Sequence, residues 1–396
     1  MSKLLPNGVD PAIKEWATER QCEIIDAYNE AGSASKAAQL LGCVPSLVTQ
    51  AIRGAKKRAA KMGYAPDAAM THPVPEPFSV KGVSTLYKED GSVAAQWVKT
   101  DRDKNRAEDA IREFVEWLCE DVKGRSQPVK APAHTADNLL AVYPMGDPHF
   151  GLYAWAEETG EDFDLDEAER RTILAVDRLV SSTPKTQTGL LLNLGDFFHA
   201  DDSKNQTPAE GHALDVDTRH AKGLQVGWRA MKHCIDRMKR HHEIVEVWNM
   251  PGNHDPHSSF MLALCLDNLY SNDPRVSVDL SPSLFKYKRF GQCLVASHHG
   301  HGAKASDLPL LMAADKPDDW GATRYRYWLC GHIHHKTLKE HPGVYVETFN
   351  SLTGTDAWHA GKGYRAAKSM QAIVYHKDFG EVERHTCALA MLEDAI

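Results

Sequence analysis

Five apolar runs in this chain each end on a short polar tip carrying aspartate, asparagine or histidine. Leu139 to Met145 leads into Asp147-Pro148-His149, Leu190 to Leu194 into Gly195-Asp196, and Ile244 to Trp248 into Met250-Pro251-Gly252-Asn253-His254-Asp255. Cys293 to Ala296 leads into His298-His299-Gly300, and Tyr325 to Cys330 into Gly331-His332-Ile333-His334. Short apolar runs bounded by Gly and Pro read as buried strands. Stretches with helical spacing separate several of them, at Asp166 to Ser181, Asp215 to His242 and Ser258 to Tyr270, so the order is that of α/β layers. Arg275 to Ala296 and Gly343 to Tyr375 are strand-rich, which predicts a second sheet packed on the first. In open α/β sheets the ligand crevice lies at the carboxyl ends of the strands, and all five tips follow such ends. One Asp or His there is ordinarily a cap; five in order are not explained by packing.

These blocks resemble the calcineurin-like metallophosphoesterase superfamily, whose ordered pattern is DxH, GDxx, GNH followed by D or E, a lone H, and GHxH. Every block is present, in order, over roughly half of the chain. The resemblance implies a four-layer α/β/β/α sandwich, here residues 137–396, with a two-metal site at the sheet tips. It implies that Asp147, His149 and His334 hold one ion, that Asn253, His299 and His332 hold a second, and that Asp196 bridges both. Either His298 or His299 could be the lone histidine; the place directly before Gly300 favours His299. His254 is left free of metal, to stabilise the transition state or protonate the leaving oxygen, with Asp255 orienting it. Gly195-Asp196-Phe197-Phe198-His199 looks most like the Mre11/SbcD-like nuclease branch, in which a histidine follows the second-block aspartate by three, so His199 is a further catalytic candidate.

The residue types suit phosphodiester chemistry. A diester is a poor electrophile with anionic oxygens, and two divalent ions can hold its attacking and leaving oxygens while acidifying a water. A shell of mixed His, Asp and Asn suits first-row ions, Mn foremost with Fe, Ni or Zn as alternatives, where an all-carboxylate shell would indicate Mg. No cysteine falls in any block.

Toward the N-terminus the charge pattern changes. The net charge of -8 argues against a uniformly nucleic-acid-coated protein, yet Ala31 to Pro66 holds no Asp or Glu, while Lys36, Arg53, Lys56, Lys57, Arg58 and Lys61 are basic. Pro11 to Asn29 has helical spacing and is ended by Gly32; Ser35 is placed to cap a second helix; Gly42-Cys43-Val44 forms a turn; Ser46 opens a third helix with Val48 and Ile52 inward. Residues 1–65 thus resemble helix-turn-helix DNA-binding modules. Ser46, Thr49, Gln50 and Arg53 would meet base edges and the following lysines and arginines phosphate. A three-helix adaptor with a solvated basic tail is the bland alternative.

Residues 66–136 read as connections: a Pro/Ala-rich linker, a hairpin from Phe78 to Lys99 turning at Glu89-Asp90-Gly91, a helix from Lys104 to Val122, and a second linker from Gly124 to Ala136. This element is expected to connect or to oligomerise the chain. Substrate contacts are sought in Lys304, Arg324 and Arg326, and in Trp358, His359, Lys362, Tyr364, Arg365 and Lys368, where basic and aromatic residues interleave.

No apolar run approaches the roughly 18 residues of a membrane span, and the N-terminus has no apolar signal core. The eight cysteines form no CxxC pair and read as free thiols of a reducing cytosol, so a cytoplasmic location is expected. The domain arrangement also resembles phage-encoded members, which would act in the host cytoplasm. No Walker-type loop is present, so any ATPase motor would be a separate chain. The leading expectation is a metal-dependent DNA nuclease recruited by its N-terminal segment. The alternatives are a phosphatase or phosphodiesterase on small nucleotides or phosphoproteins, and a catalytically silent DNA-binding protein.

Overall fold

A computed structural model describes residues 8–68, 70–73, 78–88, 93–102 and 124–393. The chain divides into two units, Met1–Arg112 and Glu113–Ile396, where the sequence reading expected three segments.

In the first unit, helices α1 (Glu19–Ala31), α2 (Ala34–Leu40) and α3 (Pro45–Lys61) enclose Ile24, Ile25, Ala37, Ala38, Val48 and Ile52. The expected first helix is instead a 3-10 turn, Pro11–Trp16, followed by α1. Thr18 and Gln21 form a reciprocal capping box that starts a new helix there. Ser33 rather than Ser35 caps α2, and Pro45 opens α3 one residue before Ser46. Proline suits that first position because its missing N–H would have no helical partner. Short strands β1 (Tyr64–Ala65) and β2 (Met70–Thr71) pair, as do β3 (Phe78–Tyr87) and β4 (Val93–Arg102) in the expected hairpin. The turn at 89–91 and the helix expected at 104–122 lie outside the described residues.

Period-two burial sorts the second unit into layers. Along β5 (Ala136–Met145), Ala141, Tyr143 and Met145 join one core with helices, whereas Leu140 and Val142 face a second sheet. Strands β6 (Thr186–Asn193) and β7 (Ile244–Asn249) alternate likewise, since successive side chains leave a strand on opposite faces. With β8 (Val276–Val278), β14 (Ser369–His376) and β15 (Gly380–Ala388) they make a six-stranded sheet, ordered β15-β14-β5-β6-β7-β8, in which β5 to β8 are parallel. The other sheet has β9 (Lys286–Phe290), β10 (Cys293–His298), β11 (Tyr325–Cys330), β12 (Thr337–His341) and β13 (Val344–Thr348), ordered β12-β13-β11-β10-β9 with β10, β11 and β13 parallel.

Helices α4 (Ala156–Thr159), α5 (Leu165–Ser182), α6 (His220–Lys239) and α7 (Ser258–Tyr270) come from the first half of this unit, and α5 to α7 cover the outer face of the six-stranded sheet. Leu308 and Met312 of α8 (Leu308–Asp315), with Trp320 of α9 (Pro317–Ala322), cover Leu294, Ala296 and Trp328 on the outer face of the other. The result is the expected α/β/β/α sandwich. Helix α6 is shorter than the expected Asp215 to His242, because Val216 bridges Leu152 and Asp217 accepts from the Leu165 amide. The strand-rich stretch Gly343 to Tyr375 is interrupted by α10 (Ala357–Gly361), and α11 (Ala390–Glu393) ends the described chain. The segment read as a second linker is tied down: Lys239, fully buried beside Asp273 at 2.8 Å, donates to the Gln127 carbonyl, and Arg275 donates to that of Val129.

Among the described residues seven cysteines are free thiols, and no helix is long and apolar enough to cross a membrane.

Candidate metal centre

Parallel strands from both sheets bring their carboxyl ends to one place, and the loops there bend sharply. Among the described residues six non-glycines have positive φ, and five are Asp147 (42°), His149 (48°), Asp196 (48°), His332 (72°) and His334 (54°). Such backbone is costly for residues with a Cβ and concentrates at functional sites. The motif glycines have a steric reason: a Cβ on Gly252 would occupy the Asp196 carboxylate and amide, and one on Gly195, itself at φ 106°, would occupy the His299 ring.

Among the described residues three groups of donor atoms result. Asp147, His149 and His334 form one, Asp196, His299 and His332 a second, and His149, His199 and His254 a third, the ligand atoms within each lying inside 4.8 Å of one another. His149 Nε2 and His334 Nε2 stand 3.1 Å apart. His299 Nε2 lies 3.0 Å from Asn253 Oδ1 and 3.3 Å from Asp196 Oδ2. Spacings of this kind suit donors that share an ion at about 2.0 to 2.2 Å. Backbone and side-chain partners set the rings: His299 Nδ1 donates to the Leu194 carbonyl at 2.8 Å, so Nε2 is the nitrogen that faces the cluster and would ligate an ion on losing its proton. The Asp147 carboxylate accepts from the His332 amide, and the Ser351 hydroxyl donates to the Asp147 carbonyl at 2.6 Å.

The electrostatics match that use. Burial pushes Asp147 up to about 7, opposed by His299 and aided by the neighbouring Asp196 charge. Burial and the same charge push Asp255 up to about 8. Burial opposes ionisation of Asp196, but His299, His254 and His149 outweigh it and hold the carboxyl well below its usual range. Burial likewise opposes a charged His299, and Asp196 and Asp147 outweigh it, raising that imidazole to about 10. Carboxyls packed this closely lack positive charge, which a divalent ion supplies. The remaining imidazoles are kept neutral, as ligation requires: burial first, then neighbouring histidines, lower His199 and His334 to about 3, His332 to about 4, and His149 well below its usual value.

The third group shares His149 with the first and brings in His254 and His199. His254 Nδ1 donates to the His199 carbonyl at 2.8 Å, so the neutral ring keeps its lone pair at Nε2, and its amide donates to Asp196 Oδ1 at 2.8 Å. His199 is 1% exposed; its ring lies parallel to that of His254, its Nδ1 is 3.1 Å from His149 Nδ1, and its Nε2 is buried with no protein partner. An orphaned imidazole nitrogen beside a donor cluster is a group in need of a ligand.

Several expectations need correcting. Asp255 does not orient the His254 ring; its two oxygens accept from the amides of Gly252 and Phe198 and so tie two of the ligand loops together. The reading that favoured His299 is not among these: His299 faces the cluster, whereas His298 stacks on Phe285 and accepts from the Gly300 amide. Neighbours on a strand point to opposite faces, so one residue of register separates these fates. Arg324 and Arg326 belong to the amino end of β11, away from its tip, and Arg326 is spent on the Trp320 ring and on the carbonyls of Trp320, Thr323 and Gly343. The sequence reading missed Asp356, which accepts from His359 Nδ1 at 2.7 Å while the His359 ring stacks on that of His334; a lone Asp opening a short helix reads as a cap, and it is one.

Among solved structures, a dimetal phosphatase from Danio rerio is 10% identical to this chain, with 64% of this chain and 99% of that one covered, at a TM-score of 0.35. Vps29 of Chaetomium thermophilum is 14% identical, with 63% and 98% covered, at a TM-score of 0.30. A conserved uncharacterized protein of Streptococcus pneumoniae, titled a predicted phosphoesterase, is 10% identical, with 64% and 99% covered, at a TM-score of 0.26. No protein-family model matches the sequence, and no curated protein matches it.

Proposed function

We propose that this protein is a two-metal phosphodiesterase that cleaves DNA, with Asp147, His149 and His334 holding one ion, Asn253, His299 and His332 the other, and Asp196 shared. The observation that carries this reading is the convergence of two buried donor groups with two further histidines, His254 and His199, left beside them. Two divalent ions, when bound, acidify a water and hold the attacking and leaving oxygens. Mn is the first candidate, with Fe, Ni or Zn behind it.

The chain's own groups do the rest. His254, held by its Nδ1 hydrogen bond, carries a proton at Nε2 when charged and passes it to the departing alkoxide. His199, which follows Asp196 by three as in the Mre11/SbcD-like pattern, donates its Nε2–H to a non-bridging oxygen. Asp255 holds the Gly252 and Phe198 amides and with them the loops of Asn253 and Asp196.

DNA as the substrate is supported by the helical unit. Ser46, Gln50 and Arg53 are exposed on α3 and Lys57 follows on the same face, while the Thr49 hydroxyl bonds to the Pro45 carbonyl and Lys56 pairs with Asp67. The test is a cleavage assay on linear, circular and single-stranded DNA, with bis-p-nitrophenyl phosphate and p-nitrophenyl phosphate alongside, for each metal. Cleavage of DNA and of the diester, greatest with Mn and lost with chelator, is expected. Turnover of the monoester alone would overturn the diesterase reading in favour of a phosphatase.

Charge reversal by Arg53→Glu with Lys57→Glu tests the DNA contact. DNA affinity is expected to fall and the slope of log affinity against log salt to flatten by about 1, since Lys57 is the phosphate contact of the pair and each such contact contributes about 0.9, while Arg53 faces a base edge. Turnover of bis-p-nitrophenyl phosphate is expected to be spared. Unchanged affinity and slope would leave the helical unit an adaptor.

A further inference from the structure

We infer that residues 356–365, around α10, form a nucleobase subsite of the metal centre: one base of the substrate strand stacks on Trp358 and Tyr364 while its phosphate enters the site. This rests on the phosphodiesterase reading and narrows it to diesters that carry bases. His359 is the anchor. Its ring lies parallel to that of the candidate ligand His334, with centroids 5.0 Å apart and planes 16° from parallel, and Asp356 fixes it by accepting from both its Nδ1 and its amide at 2.7 Å. Trp358 and Tyr364 each meet His359 edge-on, at 4.9 and 5.3 Å, and lie against each other at 6.0 Å with planes 25° apart. These two rings therefore sit one ring beyond the metal centre.

They are also open to a ligand. Trp358 is 59% exposed and Tyr364 43%, so neither is spent on the core. The segment is nonetheless held at its base: Lys368 donates to Glu161 and to the Thr353 carbonyl, and Glu161 accepts from the Thr355 amide at 3.0 Å. A small cavity lined by His334, Thr355, His359, Tyr364 and Lys368 lies at the foot of the rings. Exposed Lys362 and Arg365 add the positive charge that a phosphate backbone complements. Exposed aromatic faces interleaved with cations grip single-stranded nucleic acid, since every base has a face to stack.

The test compares an oligothymidylate with an abasic oligomer of the same length. Binding to the metal-free full chain is read by anisotropy, and cleavage with Mn by KM. The wild type is expected to prefer the oligothymidylate by about tenfold or more. Trp358→Ala is expected to collapse that preference in both affinity and KM, and Trp358→Phe, which keeps a ring, to retain most of it. Equal affinity of the wild type for the two oligomers, or an undiminished preference in Trp358→Ala, would overturn the subsite. If both oligomers are cleaved without preference, the subsite fails and the phosphodiesterase reading stands. If the preference holds but neither oligomer nor bis-p-nitrophenyl phosphate is cleaved with any metal, the subsite stands and the phosphodiesterase reading fails.

Discussion

Asp196→Asn is expected to lower kcat/KM on bis-p-nitrophenyl phosphate by at least about a thousandfold, or roughly 4 kcal/mol of transition-state stabilisation. Asp196 is buried in one donor group and acts on both: Oδ2 lies 3.3 Å from His299 Nε2, Oδ1 accepts from the His254 amide, and its charge acts on His149, His332 and His334. The amide keeps the shape but removes a charge that acts on both groups. Bound metal, counted per chain in the purified protein, is expected to fall from two ions to one or none, while the thermal transition stays cooperative. A variant that keeps two ions and wild-type turnover would show that Asp196 is not shared between them, and the two-metal centre would fall with it.

His254→Ala is expected to leave both ions in place and to slow the chemistry selectively. Its Nδ1 is committed to the His199 carbonyl, so the reactive nitrogen is Nε2, and general acid catalysis from such a position contributes about a hundred- to ten-thousandfold. The effect should depend on what departs. A p-nitrophenolate leaves readily as the anion and gains little from a proton, whereas the alkoxide of a DNA strand needs one. The loss in kcat is therefore expected to be large on DNA and at least about tenfold smaller on bis-p-nitrophenyl phosphate. Equal losses on the two substrates would exclude His254 as the acid and assign it to holding the phosphate.

How far the sequence could be read follows from how local each signal is. The strand Tyr325 to Cys330 and the helix Ser258 to Tyr270 coincide with their expected limits, because apolar spacing and flanking turn residues are local properties. The break between the Pro11 turn and α1 is also local, written in Thr18 and Gln21. The role of Asp255 was not local at all: its partners include Phe198, far away in sequence, and nothing near Asp255 names it. Arg326 shows the reverse: it is near a motif along the chain but not in space, because the length of a strand separates the two.

The order of the blocks, the kinds of donor they carry and the alternation that builds two sheets with helices outside them are all written in the sequence, since each depends on residues a few positions apart. The tertiary structure alone decided that His299 rather than His298 faces the cluster, that five of the donors sit on left-handed backbone, that His199 is buried with a free nitrogen, and that Asp356 and His359 stand against His334. The reason is physical: a site made from the ends of strands in two sheets is set by register, by φ and by packing across the sandwich, and these are relations between distant residues that no single stretch contains.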